Sequence, residues 1–330
     1  MNLLSLLQSH RPLAIDPIRV RAFIANSEQV MSRPDLAHFL SKYADQNRKL
    51  KQAMKPYNEK YAIYAGDEDE DEDEDGMNDL KHRMMRSMSI PYVTEGVGVI
   101  TLDGVIGKGL SPLEQMLGAV DIDRISAILD AWQDRQDVQE VIFKFSSGGG
   151  TTTGLQELAK KIRSFQKPTI AFCESSCGSA AYWLASQCNR FAVTPSSEVG
   201  AVGIYLTITD EFDNYAEDGK TVKVIKSGRF KGVGVAGTRM SDEQEANLQE
   251  ECAELHRRFI ADVKAVRMFV SEDDLQGQTF YGDIAVQRGL ATTVVDSFKQ
   301  LLEDTKNFRT RMSKQIIPSA YGVVPQVANS

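Results

Sequence analysis

Blocks of apolar and polar residues alternate along the middle of the chain with two different periods. Residues 96–102 (Gly-Val-Gly-Val-Ile-Thr-Leu) form a β-favouring run with glycines at its start. Asp121 then precedes Ile122, Ile125, Leu129 and Trp132, a spacing that predicts a helix capped by Asp121. A second strand is predicted over 138–145, followed by Ser146-Ser147-Gly148-Gly149-Gly150, a helix over 154–165 and a third strand over 168–173. Short strands are expected at 190–193, 199–208 and 221–226. Strands alternating with helices give an α/β fold with a largely parallel sheet, the helices packing on its faces.

The pattern changes most abruptly after the third strand. Cys173-Glu174-Ser175-Ser176-Cys177-Gly178 breaks the apolar run, and Ala180-Ala181-Tyr182-Trp183-Leu184-Ala185 restarts it as a helix. Ser179 therefore opens a helix, where free N–H groups and the helix dipole favour negative charge. An ordinary N-cap serine sits there, and so does a serine nucleophile.

Toward the C-terminus, Ser241 and Gln244 form a capping-box start. The helix after it carries Leu248, Cys252, Leu255, Phe259, Val263 and Val266 on one face, a stripe for packing or for subunit contact. Residues 280–295 close the domain. Four regions result: a helical N-terminal extension over 1–65, with helices at 19–30 and 36–54; an acidic low-complexity linker over 66–91; a main domain over 92–300; and a disordered tail over 301–330.

Charge changes this picture little. The net charge of the 330 residues is −8, but nine consecutive acids run from Asp67 to Asp75, and without them it is +1. The acidic run reads as a solvated spacer, and the rest of the chain lacks the basic surface of a nucleic-acid binder. No basic, apolar leader and no run long enough to cross a membrane is evident, so a cytoplasmic protein is expected. Cys173, Cys177, Cys188 and Cys252 are expected as reduced thiols, since no metal-binding set of ligands surrounds them. No metal or cofactor is expected.

Three features could carry chemistry. Gly148-Gly149-Gly150, at a strand end, could turn backbone N–H groups toward an anion or merely make a tight turn; no P-loop lysine follows. Ser179 has Ser175, Ser176 and Ser186 as neighbouring hydroxyl candidates, and no Gly-x-Ser-x-Gly elbow is present. The base is the third. His10, His38 and His82 precede the domain and His256 lies in the long amphipathic helix, so a Ser-His-Asp triad is poorly supported. A lysine can substitute if burial removes its charge. Lys231, in Ser227-Gly228-Arg229-Phe230-Lys231-Gly232, offers an aromatic neighbour and small residues; Lys223 and Lys226 compete.

Taken together, these motifs resemble peptidase family S49, the signal-peptide-peptidase-A and SohB-like group. The Phe145-Ser146-Ser147-Gly148-Gly149 turn is similar to the family's Asn-Ser-Pro-Gly-Gly turn. Ser179-Ala180-Ala181-Tyr182-Trp183 is similar to its Ser-Gly-Gly-Tyr-Tyr nucleophile stretch, and Ser227 to Lys231 to its Ser-Gly-x-x-Lys. Gly277, Phe280, Gly282, Ala285, Gly289 and Leu290 follow its late motif. The resemblance covers about 92–300 and implies a ClpP/crotonase-like ββα-repeat spiral. It implies Ser179 as nucleophile and Lys231 as general base, with an oxyanion hole from the backbone N–H groups of Gly148 or Gly149 and of Ala180. It further implies a homo-oligomer whose sites can be built across subunits, and a protein or peptide substrate. The family includes phage head proteins that process scaffold. The absence of a predicted membrane span points to that group, with portal, capsid and scaffold proteins as partners and the prohead as a location. Two departures are visible: Ser147 stands where the family has proline, which should loosen the turn, and Ala201 stands where a serine commonly bonds the lysine. Other readings are a signal-peptide-peptidase-like quality protease, a catalytically weak structural or scaffold-binding homologue, and a crotonase-like acyl-CoA enzyme using the same glycine turn.

Overall fold

The computed structural model describes residues 13–15, 91–111, 114–115 and 117–315. In chain order the elements are β1 (Leu13–Ile15), β2 (Tyr92–Thr94), β3 (Val97–Asp103), β4 (Val105–Gly107), β5 (Ala119–Asp121), α1 (Ile122–Gln133), β6 (Glu140–Ser147), β7 (Gly149–Thr151), α2 (Leu155–Ser164), β8 (Thr169–Gly178) and α3 (Ala180–Ser186). They continue as β9 (Arg190–Val193), β10 (Glu198–Gly200), α4 (Phe212–Glu217), α5 (Asp242–Lys264), β11 (Thr279–Tyr281), α6 (Gly282–Gln287), β12 (Thr293–Val294) and α7 (Phe298–Gln315).

Two sheets organise the molecule. In the larger one β3, β6, β8 and β10 lie side by side and parallel, with β2 and β11 antiparallel at its two ends. β8 divides its edge: Ile170–Cys173 pairs with β9, and Ser176–Gly178 pairs with β10. The smaller sheet has the order β1-β7-β4-β5, and only β1 runs antiparallel to its neighbour. A strand of the large sheet, a short strand of the small sheet and a helix recur as β3-β4-α1 and β6-β7-α2, and β8-α3 follows as a unit without its second strand. This is the ββα-repeat spiral expected for the ClpP/crotonase type.

The helices form for local reasons. The Asp121 side chain accepts from the Asp123 N–H and caps α1, which buries Ile122, Ile125, Leu129 and Trp132. Ser241 and Gln244 form the expected capping box on α5. Gly98 is required under α1, because a Cβ there would fall 2.4 Å from the Trp132 ring.

α3 is the most enclosed helix, with all seven residues buried. Asp262 of α5, 7% exposed, fastens it. The Trp183 indole N–H donates to Asp262 Oδ2 at 3.1 Å, Gln156 Nε2 of α2 donates to the same oxygen at 3.1 Å, and Arg163 pairs with Oδ1 at 3.3 Å. Trp183 also stacks on Phe259, their rings 4.3 Å apart and within 7° of parallel. One carboxylate thus joins α2, α3 and α5.

Several expectations are corrected. β8 continues through Glu174–Ser176 to Gly178, because parallel pairing with β6 and β10 holds those polar residues in strand geometry. The strands expected over 199–208 and 221–226 reduce to β10 and a single bridge residue, Tyr205; in 221–226 the chain is irregular and finds no strand partner. Residues 301–315, expected as part of a disordered tail, belong to α7. Leu301 and Thr305 are buried, Phe298 meets Phe172 at 5.3 Å, and Arg309 pairs with buried Glu140. Residues 13–15, within the extension expected to be helical, form β1. The expected helices at 19–30 and 36–54, the acidic linker up to residue 90 and residues 316–330 lie outside the described residues.

Asp262→Ala removes the acceptor shared by Trp183 and Gln156 and leaves Arg163 without its partner. Urea unfolding is expected to show a loss of about 1.5–3 kcal/mol, with Asp262→Asn losing less.

Candidate functional site

The carboxyl ends of β6, β8 and β10 converge on three glycines. The register sets Ser147 beside Cys177, and Gly178 beside Gly200. A Cβ on Gly178 would meet the Gly148 carbonyl oxygen at 3.4 Å and Ala201 Cβ at 3.6 Å. Glycines let three turns crowd together here, at the edge of a parallel sheet where α/β proteins commonly bind ligands.

Ser179 lies at the centre of this convergence. Its backbone adopts φ 53° and ψ −119°, and its side chain makes no capping bond to α3. The ordinary N-cap reading is therefore excluded: an N-cap residue has β-region dihedrals and gives its oxygen to the helix. Here the left-handed φ turns the side chain away from the helix start. Such a conformation in a non-glycine residue costs about 1–3 kcal/mol and collects at functional sites. The Ser179 N–H donates to Gly200 O at 2.8 Å, and the Ser179 carbonyl accepts from Trp183 N–H at 2.8 Å. Oγ has only the Gly203 carbonyl, at 3.5 Å, beyond the usual O–H···O range. Ser179 is 3% exposed.

The glycine turn is tied down by a hydroxyl where a proline was expected. Ser147 Oγ donates to the Gly104 carbonyl and accepts from the Gly149 N–H at 3.1 Å. Ser147 thus stitches the turn to the β3–β4 corner. The same bond engages one of the two glycine N–H groups proposed for an oxyanion hole. The Ala180 N–H, in the first turn of α3, has no intrahelical acceptor.

The other sequence candidates separate from Ser179. Ser175 Oγ donates to Ser146 Oγ, Ser176 Oγ approaches the Ser147 carbonyl, and Ser186 Oγ donates to the Trp183 carbonyl. His256 Nε2 bonds the Leu275 carbonyl at 2.8 Å. Cys173, Cys177 and Cys188 are buried free thiols. Burial pushes the Cys177 thiol far above its ordinary range and Cys188 up to about 12, so neither supplies a thiolate nucleophile. Lys223, Lys226 and Lys231 are all exposed; Lys226 Nζ donates to the Arg229 carbonyl, and no hydrogen bond links Lys231 to Ser179 within the chain. Lys231 belongs to an arm, residues 203–240, that holds α4 and otherwise irregular chain, in which Gly237 is the one buried residue and Ile225 is 91% exposed.

Sequence reasoning missed the Asp262 fastening and the pairing of β1 with β7. No local signal marks Asp262, whose partners come from two other helices. Among the described residues no group of three or more His, Cys, Asp or Glu could hold a metal ion, and no helix is long and apolar enough to cross a membrane.

With this geometry established, comparison with known proteins gives a consistent answer. The model of peptidase family S49 matches residues 161–308, which include Ser179 and Lys231 but not the glycine turn. The head-tail preconnector protein GP5 of Enterobacteria phage P21 is 27% identical over 217 residues, covering 64% of this chain and 43% of that protein. Protease 4 of Haemophilus influenzae is 24% identical over 215 residues, covering 61% of this chain and 33% of that protein. The chain thus spans less than half the length of either relative. Among solved structures, an enoyl-CoA hydratase from Shewanella pealeana superposes with a TM-score of 0.42 at 10% identity, covering 71% of this chain and 77% of that one. The order and spacing of the motifs agree with the family match: over residues 161–308 this chain is similar to peptidase family S49.

Proposed function

We propose that this chain is a serine endopeptidase in which Ser179 is the nucleophile and Lys231 the general base. The observation that carries the reading is the Ser179 backbone, φ 53° and ψ −119°, with an Oγ spent on no cap. The match of residues 161–308 to the S49 family model supports peptidase chemistry.

In the proposed reaction neutral Lys231 takes the Ser179 hydroxyl proton while Oγ attacks a peptide carbonyl. The tetrahedral oxyanion is held by the Ala180 N–H and by the glycine turn. The lysine then passes its proton to the leaving amine, an acyl-enzyme remains, and water releases it. Gly148 is the readier glycine donor, since the Gly149 N–H is already bonded to Ser147 Oγ and serves only if that bond opens.

Lysine needs burial to lose its proton at neutral pH, and Lys231 is exposed in the single chain. The arm that carries it leaves most of its residues outside the core, and Ile225 stands 91% exposed. We therefore infer a homo-oligomer in which the arm packs on a second copy and Lys231 reaches that copy's Ser179. A protein of phage head assembly is the proposed substrate, with portal, capsid and scaffold proteins as partners. The support is the likeness to a phage head-tail preconnector protein. One observation favours a second reading, a weakly active scaffold-binding homologue: Ala201, beside Gly178, offers no hydroxyl to aim a lysine.

Cleavage of denatured casein by the full chain is expected to fall by at least about 10⁴-fold in Ser179→Ala and by about 10²–10⁴-fold in Lys231→Met, with folding retained in both. Mixing the two inactive variants should restore about a quarter of the activity, the share from random pairing of subunits. Full activity in Ser179→Ala would refute the nucleophile, and no recovery on mixing would place the dyad within one chain. Ala201→Ser is expected to raise turnover by up to about 10-fold, the value of one added hydrogen bond; an unchanged rate would mean that the lysine is aimed from elsewhere.

A further inference from the structure

β7 is a three-residue strand with a neighbour on each edge. On one edge β4 approaches so closely that a Cβ on Gly150 would fall 1.9 Å from the Ile106 carbonyl oxygen. The other edge is filled by β1, which comes from far away in sequence and pairs antiparallel: Leu13 with Thr151, Ala14 with Gly150, Ile15 with Gly149. β1 ends the small sheet, so without it β7 would present an open edge of backbone donors and acceptors.

The direction of β1 matters as much as its position. From Leu13 to Ile15 it advances along β7 from Thr151 toward Gly149, that is, toward the glycine turn and Ser179. A peptide about to be cut would follow this course, with residues before the scissile bond laid antiparallel on an edge strand and the next carbonyl arriving at the oxyanion donors. Addition of a strand reads a peptide through its backbone, so it accepts many sequences. Two more observations fit an edge meant for exchange. Ser179 is only 3% exposed, so a peptide that reaches it must enter a nearly closed site. The Thr151 hydroxyl, at the start of the pairing, is buried without a hydrogen-bond partner.

We propose that Leu13–Ile15 is a resident stand-in on the outer edge of β7, which an incoming extended peptide must displace. The proposal rests on the peptidase reading for its purpose, but the occupancy can be tested apart from it. A tethered strand competes at an effective concentration that reaches the millimolar range, so a free peptide should bind poorly until the tethered one is disabled. Leu13→Pro/Ala14→Pro does this in either phase of the pairing, because adjacent residues point their N–H groups to opposite sides and proline has none.

The test uses the full chain carrying Ser179→Ala, with and without the two prolines, and a fluorescein-labelled peptide of residues 11–18 followed by fluorescence polarisation. The proline variant is expected to bind the peptide at least about 10-fold more tightly; equal binding, or binding to neither, would overturn the proposal. Amide hydrogen exchange is the second readout. Gly149–Thr151 should exchange faster in the proline variant with the rest of the sheet unchanged, and unchanged protection there would also overturn it. Casein cleavage by the Ser179-intact pair separates the two claims. Tighter peptide binding without cleavage by either chain would keep the acceptor edge and remove the peptidase reading. Equal cleavage with equal binding would do the reverse.

Discussion

Ser179 is held in a backbone conformation that serine avoids, and the architecture around it is arranged to keep it there. About 1–3 kcal/mol must be offset. Strand β10 takes the Ser179 N–H through Gly200, and α3 returns a bond from Trp183 to the Ser179 carbonyl. Trp183 is in turn fixed by Asp262 and by stacking on Phe259. Gly200 lies on β10, Trp183 on α3, and Asp262 and Phe259 both on α5, so the serine's geometry depends on how these three elements pack together. The glycines at 148, 178 and 200 allow those elements to crowd close enough, and Ser147 anchors the turn from behind.

The same arrangement explains which parts of the molecule could be read from sequence. The caps at Asp121 and Ser241 and the buried faces of α1 and α2 follow local rules, and they form where the pattern puts them. Ser179 was visible as a helix-opening serine, but its conformation was not: an ordinary N-cap and this strained serine look alike in sequence and differ in φ and in the missing cap bond. β8 outran its apolar run because neighbouring strands, not its own residues, hold Glu174–Ser176 extended. The apolar alternation over 221–226 lacked a partner strand and stayed irregular. α7 was missed because its anchors, Leu301 and Thr305 with the Arg309–Glu140 pair, are sparse and partly polar. β1 could not be found from Leu13-Ala14-Ile15 alone, since three residues become a strand only when an edge awaits them.

Two parts of the chain, the 203–240 arm and β1, lie outside the packed core that holds Ser179. The 203–240 arm leaves Lys231 exposed, without a hydrogen bond to the serine it is proposed to serve, and leaves Ile225 and Val235 exposed. β1 arrives from before the main domain and lies along the strand next to the glycine turn. In this account the core supplies a strained nucleophile and an oxyanion turn. In the proposed reading the arm and β1 govern when a base and a peptide reach them.

The central claim is that strain at Ser179 marks a reactive nucleophile. Its most direct test is covalent labelling of the full-length protein with a fluorophosphonate, followed by mass-spectrometric mapping of the modified peptide. The account predicts a single adduct on the Ser179 hydroxyl, accumulating with time and absent from unfolded protein. No adduct on the folded chain, or one on Ser175 or Ser176 instead, would contradict it.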